Sequence, residues 1–141
     1  MKKLNLYFMN DKIVPVGQPG SMESILDEYG IEIATYSKGY FDRMITTTKE
    51  NNQTTSATLY IIVPEIGYNY RMLNLRFEKR NFYQLTFFTL KSHAEEVSAI
   101  DTTINLAPLH NKIIELLSSR LANETFKFLV NQVDAKRENK M

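Results

Sequence analysis

The 141-residue chain contains no cysteine, which excludes disulfide bonds, thiolate zinc sites and cysteine nucleophiles together. It also lacks a long apolar run, because the longest, Leu59–Pro64, is far below the roughly 20 residues that span a bilayer. Asn5, Asn10 and Asp11 interrupt the apolar segment behind Met1, so no signal peptide is predicted. These absences together predict a soluble, cytoplasmic protein.

The chain also lacks an excess of charge of either sign, because 17 basic and 16 acidic residues leave a net charge of +1. A nearly neutral chain has no overall field that attracts nucleic acid or an anionic membrane. The sequence has no glycine-rich nucleotide motif, serine-nucleophile elbow or zinc-protease motif. We therefore predict no catalytic residue, no metal ligand and no cofactor.

The composition that remains is that of an ordinary globular protein, with 43% hydrophobic and 23% charged residues. A chain of this length buries enough surface for one domain, which we place at residues 1–134. The polar residues 135–141 are predicted to form a frayed tail.

The N-terminal part of the sequence predicts a short β-hairpin followed by a helix. Apolar and polar residues alternate over 4–8, and a second strand returns over 12–16. Ser21 is a suitable helix N-cap, and Gly30 a suitable stop. The apolar residues between them recur at helical spacing: Met22, Ile25, Leu26 and Tyr29.

Beyond Gly30 the sequence changes to β-branched and aromatic runs separated by polar turns. We predict strands near 31–36, 40–48, 56–63, 70–77 and 82–90. Connections this short join antiparallel neighbours. The fold class is therefore α+β, mainly an antiparallel β-meander of about five to seven strands, packed against two or three C-terminal helices.

The hairpin around Glu78 allows its register to be predicted, because residues that face each other across an antiparallel pair share one side of the sheet. An odd, three-residue loop pairs apolar with apolar residues and polar with polar ones. The resulting pairs are Phe77–Tyr83, Leu75–Leu85, Leu73–Phe87, Arg76–Gln84 and Asn74–Thr86.

Three helical segments are predicted in the C-terminal part. Ser92 and Glu95 match a capping box, which predicts a short helix over about 93–100. Pro108 suits the first turn of a helix that runs to about Leu121. The apolar stripes before and after residues 122–123 point in nearly opposite directions, so we predict a break there, with Asn123 capping the last helix.

Two histidines and one basic cluster are candidate sites with ordinary structural explanations. His93, Glu95 and Glu96 offer metal-ligand atoms, but the capping box already explains Glu95. His110 borders an apolar stripe and is interpreted as a structural histidine. The basic residues near aromatics could follow a nucleic-acid backbone, but a charged, solvated sheet edge explains them better. They are Arg71, Arg76, Lys79, Arg80 and Lys91.

The apolar residues left over after the core is assigned are the most informative. The predicted register puts Met72, Phe82 and Phe88 on the sheet face opposite the core. Phe128 points about 150° away from the apolar stripe of its own helix. Several aromatics on one exposed face exceed what a monomer normally tolerates. We interpret these four residues as partner-binding; in the alternative, the N-terminal hairpin and helix cover the second sheet face.

The leading hypothesis is a non-enzymatic protein–protein interaction module: an adaptor, an immunity-type inhibitor or an assembly subunit that binds another protein or self-associates. The first alternative is a small apolar ligand in a pocket of at least ~300 Å³ between sheet and helices. That pocket would be lined by Tyr36, Phe41, Tyr60, Tyr83 and Phe87. The second alternative is an enzyme with His93 or His110 beside a carboxylate.

Overall fold

The computed structural model describes residues 19–49, 55–77, 82–88, 95–101 and 107–139. Within these ranges the chain forms one five-stranded antiparallel sheet and three α-helices, so the α+β class is confirmed. The predicted N-terminal hairpin lies outside the described residues. The elements are α1 (Pro19–Tyr36), β1 (Asp42–Lys49), β2 (Thr55–Val63), a 3-10 turn (Pro64–Ile66), β3 (Tyr68–Phe77), β4 (Phe82–Phe88), β5 (Glu95–Asp101), α2 (Ala107–Leu117) and α3 (Arg120–Asn139).

The strands lie in the sheet in their sequence order, each antiparallel to the next. Helix α1 packs against β1 and β2, α2 packs against β5, and α3 contacts α2 and the 3-10 turn. Alternate residues of β2 and β4 are buried, and they share one hydrophobic core with the buried sides of all three helices. The core residues of those two strands are Ala57, Leu59, Ile61, Val63, Tyr83, Leu85 and Phe87.

Helix α1 is longer than predicted, because Gly30 does not end it. The helix continues to Tyr36, so the strand predicted over 31–36 is wrong. Ile33 extends the buried stripe of Tyr29 by one turn, whereas Ile31 is 40% exposed. The alternation of Ile31 and Ile33 therefore reflected one stripe residue and one surface residue of a helix.

Gly30 instead marks the place where α1 crosses the sheet. A Cβ atom at this position would lie 2.7 Å from Arg43 Cγ and 2.9 Å from Leu59 Cδ1. Those distances are shorter than real Cβ contacts, so a side chain at residue 30 would force α1, Arg43 or Leu59 to shift. The glycine is needed for close packing.

The predicted register of β3 and β4 is confirmed at all five pairs, including Leu75–Leu85. The assignment of Met72 is wrong, because its side chain is fully buried. Leu59 pairs with Leu73 and Tyr60 pairs with Arg71, which leaves Met72 as an extra residue in β3. Such a β-bulge reverses the alternation, so Met72 joins the core face instead of the opposite one.

The segment predicted as a helix over 93–100 is a strand over its described part. Residues 95–101 form β5 and pair with β4 along its whole length. Ile100 lies opposite Tyr83 and is buried with it. The capping-box signal is local, and a complete ladder of backbone hydrogen bonds along β4 outweighs it.

Helices α2 and α3 meet at a corner over Ser118–Ser119, a few residues before the predicted break. The hydroxyl of Ser119 accepts a hydrogen bond from the backbone N–H of Ala122 (3.1 Å). Ser119, and not Asn123, is therefore the N-cap of α3. Asn123 lies within α3, where its amide donates to the carbonyls of Ser119 (3.0 Å) and Ser118 (3.4 Å).

The C-terminal end of α3 is fastened to the 3-10 turn, and residues 135–139 of the predicted tail are helical. Arg137 donates to both carboxylate oxygens of Glu65 (2.9 and 2.8 Å). Lys136 donates to the Glu65 backbone carbonyl (2.6 Å). A two-pronged guanidinium–carboxylate pair fixes orientation as well as distance, so it positions the helix end on the sheet.

Candidate functional site

A cleft with a volume of about 560 Å³ lies between the end of α1, the segment that follows it, the α2–α3 corner and the first half of α3. We call it the helical cleft. Its apolar wall consists of Ile33, Tyr36, Phe41, Leu117, Phe126 and Val130. Its polar wall consists of Glu32, Ser37, Tyr40, Ser118, Asn123 and Lys127.

The α1 side of the helical cleft is shaped by the way the helix ends. Lys38 and Gly39 both have positive φ (55° and 98°), which turns the chain away from the helix axis. The Ser37 hydroxyl donates to the Ala34 carbonyl (2.7 Å) and accepts from the Phe41 backbone N–H (2.9 Å). These bonds bring Phe41 back toward the helix. Lys38 and Gly39 thus form a helix stop that positions an aromatic ring.

Two aromatic rings form the inner part of the apolar wall. Phe41 is buried, and its ring lies 5.9 Å from that of Phe126 at an interplanar angle of 45°. A tilted pair at this distance is favourable beyond the area that it buries. Tyr36 lies at the mouth, where 86% of its surface is exposed. The helical cleft is therefore apolar inside and open to solvent at Tyr36.

The α3 side of the helical cleft carries hydrogen-bond donors. The buried Ser118 hydroxyl has no hydrogen-bond partner among the described residues. Leaving such a group unpaired costs about 1–3 kcal/mol. Asn123 and Lys127 lie on the same side of α3, one turn apart, and the Asn123 amide contacts the Ser118 carbonyl. The three residues thus follow one another along one wall.

Tyr40 connects the helical cleft to the end of α3. Its hydroxyl donates to the Asp134 carboxylate (2.6 Å), and the guanidinium of Arg137 lies 4.8 Å from the centre of its ring. The hydrogen bond to Asp134 raises the pKa of Tyr40, so the phenol stays protonated at neutral pH. Tyr40 therefore joins the segment after α1 to the end of α3.

His110 lies elsewhere, between α2 and α1. Its Nδ1 is 2.6 Å from the hydroxyl of the buried Tyr29. Burial lowers the pKa of His110, which keeps the imidazole neutral at pH 7. A neutral ring with Nε2 protonated accepts the Tyr29 hydrogen at Nδ1. The pair joins the two helices.

The four residues predicted to bind a partner differ in exposure where the structure describes their side chains. Met72 is in the core and cannot contact a partner. Phe88 is partly buried and lies under the guanidinium of Arg71, 4.1 Å from its ring centre. The side chain of Phe82 is outside the described part of the structure. Phe128 remains, with 49% of its surface exposed.

Sequence reasoning missed Leu121, which is 42% exposed. It precedes Phe128 by two helical turns and so lies on the same side of α3. The spacing of seven residues was a detectable signal, but the misplaced helix break assigned Leu121 to the preceding helix. Leu121 and Phe128 form a small exposed apolar pair, on a different side of α3 from the helical cleft.

The five residues predicted to line a pocket between sheet and helices lie in different places. Tyr36 and Phe41 line the helical cleft, whereas Tyr83 and Phe87 are core residues and Tyr60 is partly buried on the other sheet face. The cleft lies between helices and not between sheet and helices. Sequence reasoning did not find Phe126 and Val130 as lining residues, because it assigned their stripe to the core.

The remaining predicted candidates are only partly described. Of the basic cluster, Lys79, Arg80 and Lys91 lie outside the described residues, as does His93. Among the described residues no group of three or more potential ligands could hold a metal ion. In the same ranges, no helix is long and apolar enough to cross a membrane. No known protein family, curated protein sequence or solved structure shows a significant match to this chain.

Proposed function

We propose that this protein binds a small, mainly apolar molecule in the helical cleft. The observation that carries the proposal is a volume of about 560 Å³ with an aromatic and aliphatic wall and few polar groups. Ligand sites in proteins generally have volumes of roughly 300–1,000 Å³ and combine such a wall with a few polar atoms that fix orientation. Binding of a small apolar ligand was the first alternative from the sequence, but the sequence placed the pocket between sheet and helices.

The apolar wall supplies the driving force. A ligand that covers Phe41, Phe126 and Val130 removes their exposed parts and its own apolar surface from water, at roughly 25 cal/mol per Å². The wall is largely preformed, because the hydrogen bonds of Ser37 and the Phe41–Phe126 contact already hold the rings. Little ordering free energy opposes binding at a preformed site.

A titration with the neutral dye Nile red tests the proposal, because the fluorescence of the dye increases in an apolar site. We expect saturable binding by the wild-type protein. Val130→Trp places an indole in the helical cleft and should abolish the binding. Gln132→Trp, on the exposed side of the same helix, is the matched control and should bind as wild type does.

A second variant guards against misfolding of Val130→Trp. Tyr36 is 86% exposed, so Tyr36→Ser should leave the fold intact and weaken dye binding. Circular dichroism establishes that each variant is folded. If dye binding does not saturate, or is equal in wild type and both cleft variants, the proposal is wrong.

A second candidate function is the interaction module, supported by the exposed pair Leu121 and Phe128. Two side chains cover only part of the about 800 Å² per partner that a stable interface buries. We propose self-association through this pair as a weaker contact. Light scattering over increasing protein concentration should show dimers that Phe128→Asp removes. A monomer at all concentrations would contradict it.

A further inference from the structure

We infer that the ligand of the helical cleft carries a carboxylate, which binds at the α2–α3 corner beside Lys127. The inference rests on the proposed function and specifies the chemical class of the ligand, an apolar carboxylic acid. Two observations support the inference: the positive charge of Lys127 in the cleft and the hydrogen-bond donors beside it.

Lys127 is an uncompensated cation on the cleft wall. Four cations of the described structure have carboxylate partners: Arg43 with Asp27 (3.1 Å), Lys112 with Glu115 (3.5 Å), Arg120 with Glu124 (2.9 Å) and Arg137 with Glu65 (2.8 Å). Lys127 makes no ion pair or hydrogen bond with any described residue, although Glu124 lies one turn before it. A ligand anion at the cleft would face this ammonium group.

The acidic residue that lines the helical cleft, Glu32, belongs to α1 and not to the α2–α3 corner. Glu32 lies on the α1 wall and already has an interaction partner within the protein. The α2–α3 corner also contains the first turn of α3, whose N-terminal end carries a partial positive charge. The electrostatic preference of the corner is therefore for an anion.

The hydrogen-bonding groups at the corner agree with the sign of the charge. The Ser118 hydroxyl is buried at the cleft wall without a hydrogen-bond partner in the described structure, so a ligand oxygen that reached it would satisfy it. The Asn123 amide is occupied by the carbonyls of Ser118 and Ser119, so it holds the corner without competing for the ligand. A carboxylate has only acceptor atoms and can bind the ammonium and the hydroxyl at once. The apolar part of the ligand would then lie against Phe41 and Phe126.

The experiment compares naphthaleneacetic acid with naphthaleneacetamide, which share an apolar ring and differ in charge. Calorimetric titrations are performed with wild type, Lys127→Gln and Lys49→Gln. Lys49 is an exposed cation of β1 that does not line the helical cleft, so its variant controls for net charge. Lys127 is exposed and unpaired among the described residues, so its replacement should not affect folding.

We expect wild type and Lys49→Gln to bind the acid about fivefold more tightly than the amide, the effect of one exposed charge pair. Lys127→Gln should bind both probes equally. The acid preference should decrease as salt rises, since the pair is screened.

Equal binding of acid and amide by the wild type would overturn the carboxylate inference and leave the apolar cleft in place. An acid preference that is undiminished in Lys127→Gln would also overturn it. Binding of neither probe would instead contradict the proposed function itself.

Discussion

Replacing Gly30 with alanine should destabilise the protein, although alanine is the better helix former. The added Cβ would lie 2.7 Å from Arg43 Cγ and 2.9 Å from Leu59 Cδ1. Leu59 is fully buried in the centre of β2, and Arg43 is held by its hydrogen bond to Asp27 (3.1 Å). Relief of the contact therefore requires α1 to move away from the sheet or these packed side chains to shift.

Two opposing free energies determine the size of the effect. Alanine stabilises a helix interior by about 1 kcal/mol relative to glycine. Overpacking a close-packed core costs about 1–3 kcal/mol. The two shortest contacts at Gly30 are below 3.0 Å, and the third is with Arg43 Cβ, which moves only with its backbone, so we expect the upper half of that cost. The net loss is then about 1–2 kcal/mol.

Urea unfolding followed by circular dichroism measures this loss as a lower midpoint at unchanged slope. Ser24→Ala compared with Ser24→Gly, at an exposed position of α1, measures the propensity difference alone. Arg43→Ala should partly rescue Gly30→Ala, because it removes Cγ, the nearest atom. If Gly30→Ala stabilises the protein by as much as alanine exceeds glycine at residue 24, the close-packing argument is refuted.

Three further outcomes are expected. Met72→Ala should lose about 2–5 kcal/mol of unfolding free energy in urea titrations, because the side chain is fully buried; a surface residue would lose almost none. Burial lowers the pKa of His110 in the folded protein below the value of about 6.5 that it has in the unfolded chain. The contribution of neutral His110 to the free energy of unfolding is therefore complete above pH 6.5 and is lost as pH falls through the folded-state pKa. His110→Gln should therefore weaken the decline of stability between pH 7.5 and pH 5. Arg137→Gln should accelerate amide hydrogen exchange in the last turn of α3, where the pair with Glu65 is lost; unchanged exchange would show that the pair does not fasten the helix.

The sheet could be predicted from the sequence where side-chain alternation was regular. Five pairs between β3 and β4, such as Leu75–Leu85, follow from matching apolar with apolar residues. The bulge at Met72 could not be predicted, because a single extra residue leaves the local pattern of β3 plausible in either phase. Only the pairing of β3 with Leu59 and Tyr60 of β2 shows that Met72 lies on the core face of the sheet.

Local signals failed where tertiary contacts opposed them. Gly30 is an ordinary signal for the end of a helix, yet α1 continues through it. The Ser92–Glu95 pattern is an ordinary signal for the start of a helix, yet Glu95 begins β5. The glycine allows α1 to approach the sheet closely, and β5 pairs with the edge of β4 that would otherwise be free. The helical cleft was beyond sequence reasoning for the same reason, since the position of Phe126 beside Phe41 depends on how two distant helices meet.

The described walls of the helical cleft come from residues 32–41 and 117–130, and no described strand of the sheet contributes to them. A meander of neighbouring strands has short loop-closure distances and can assemble early, whereas these two segments are separated in the sequence by residues 42–116. We expect the cleft to form only in the last stage of folding. A bound ligand would then slow the separation of α1 from α2 and α3 and leave the opening of the hairpins unchanged, so it would hold these helices together.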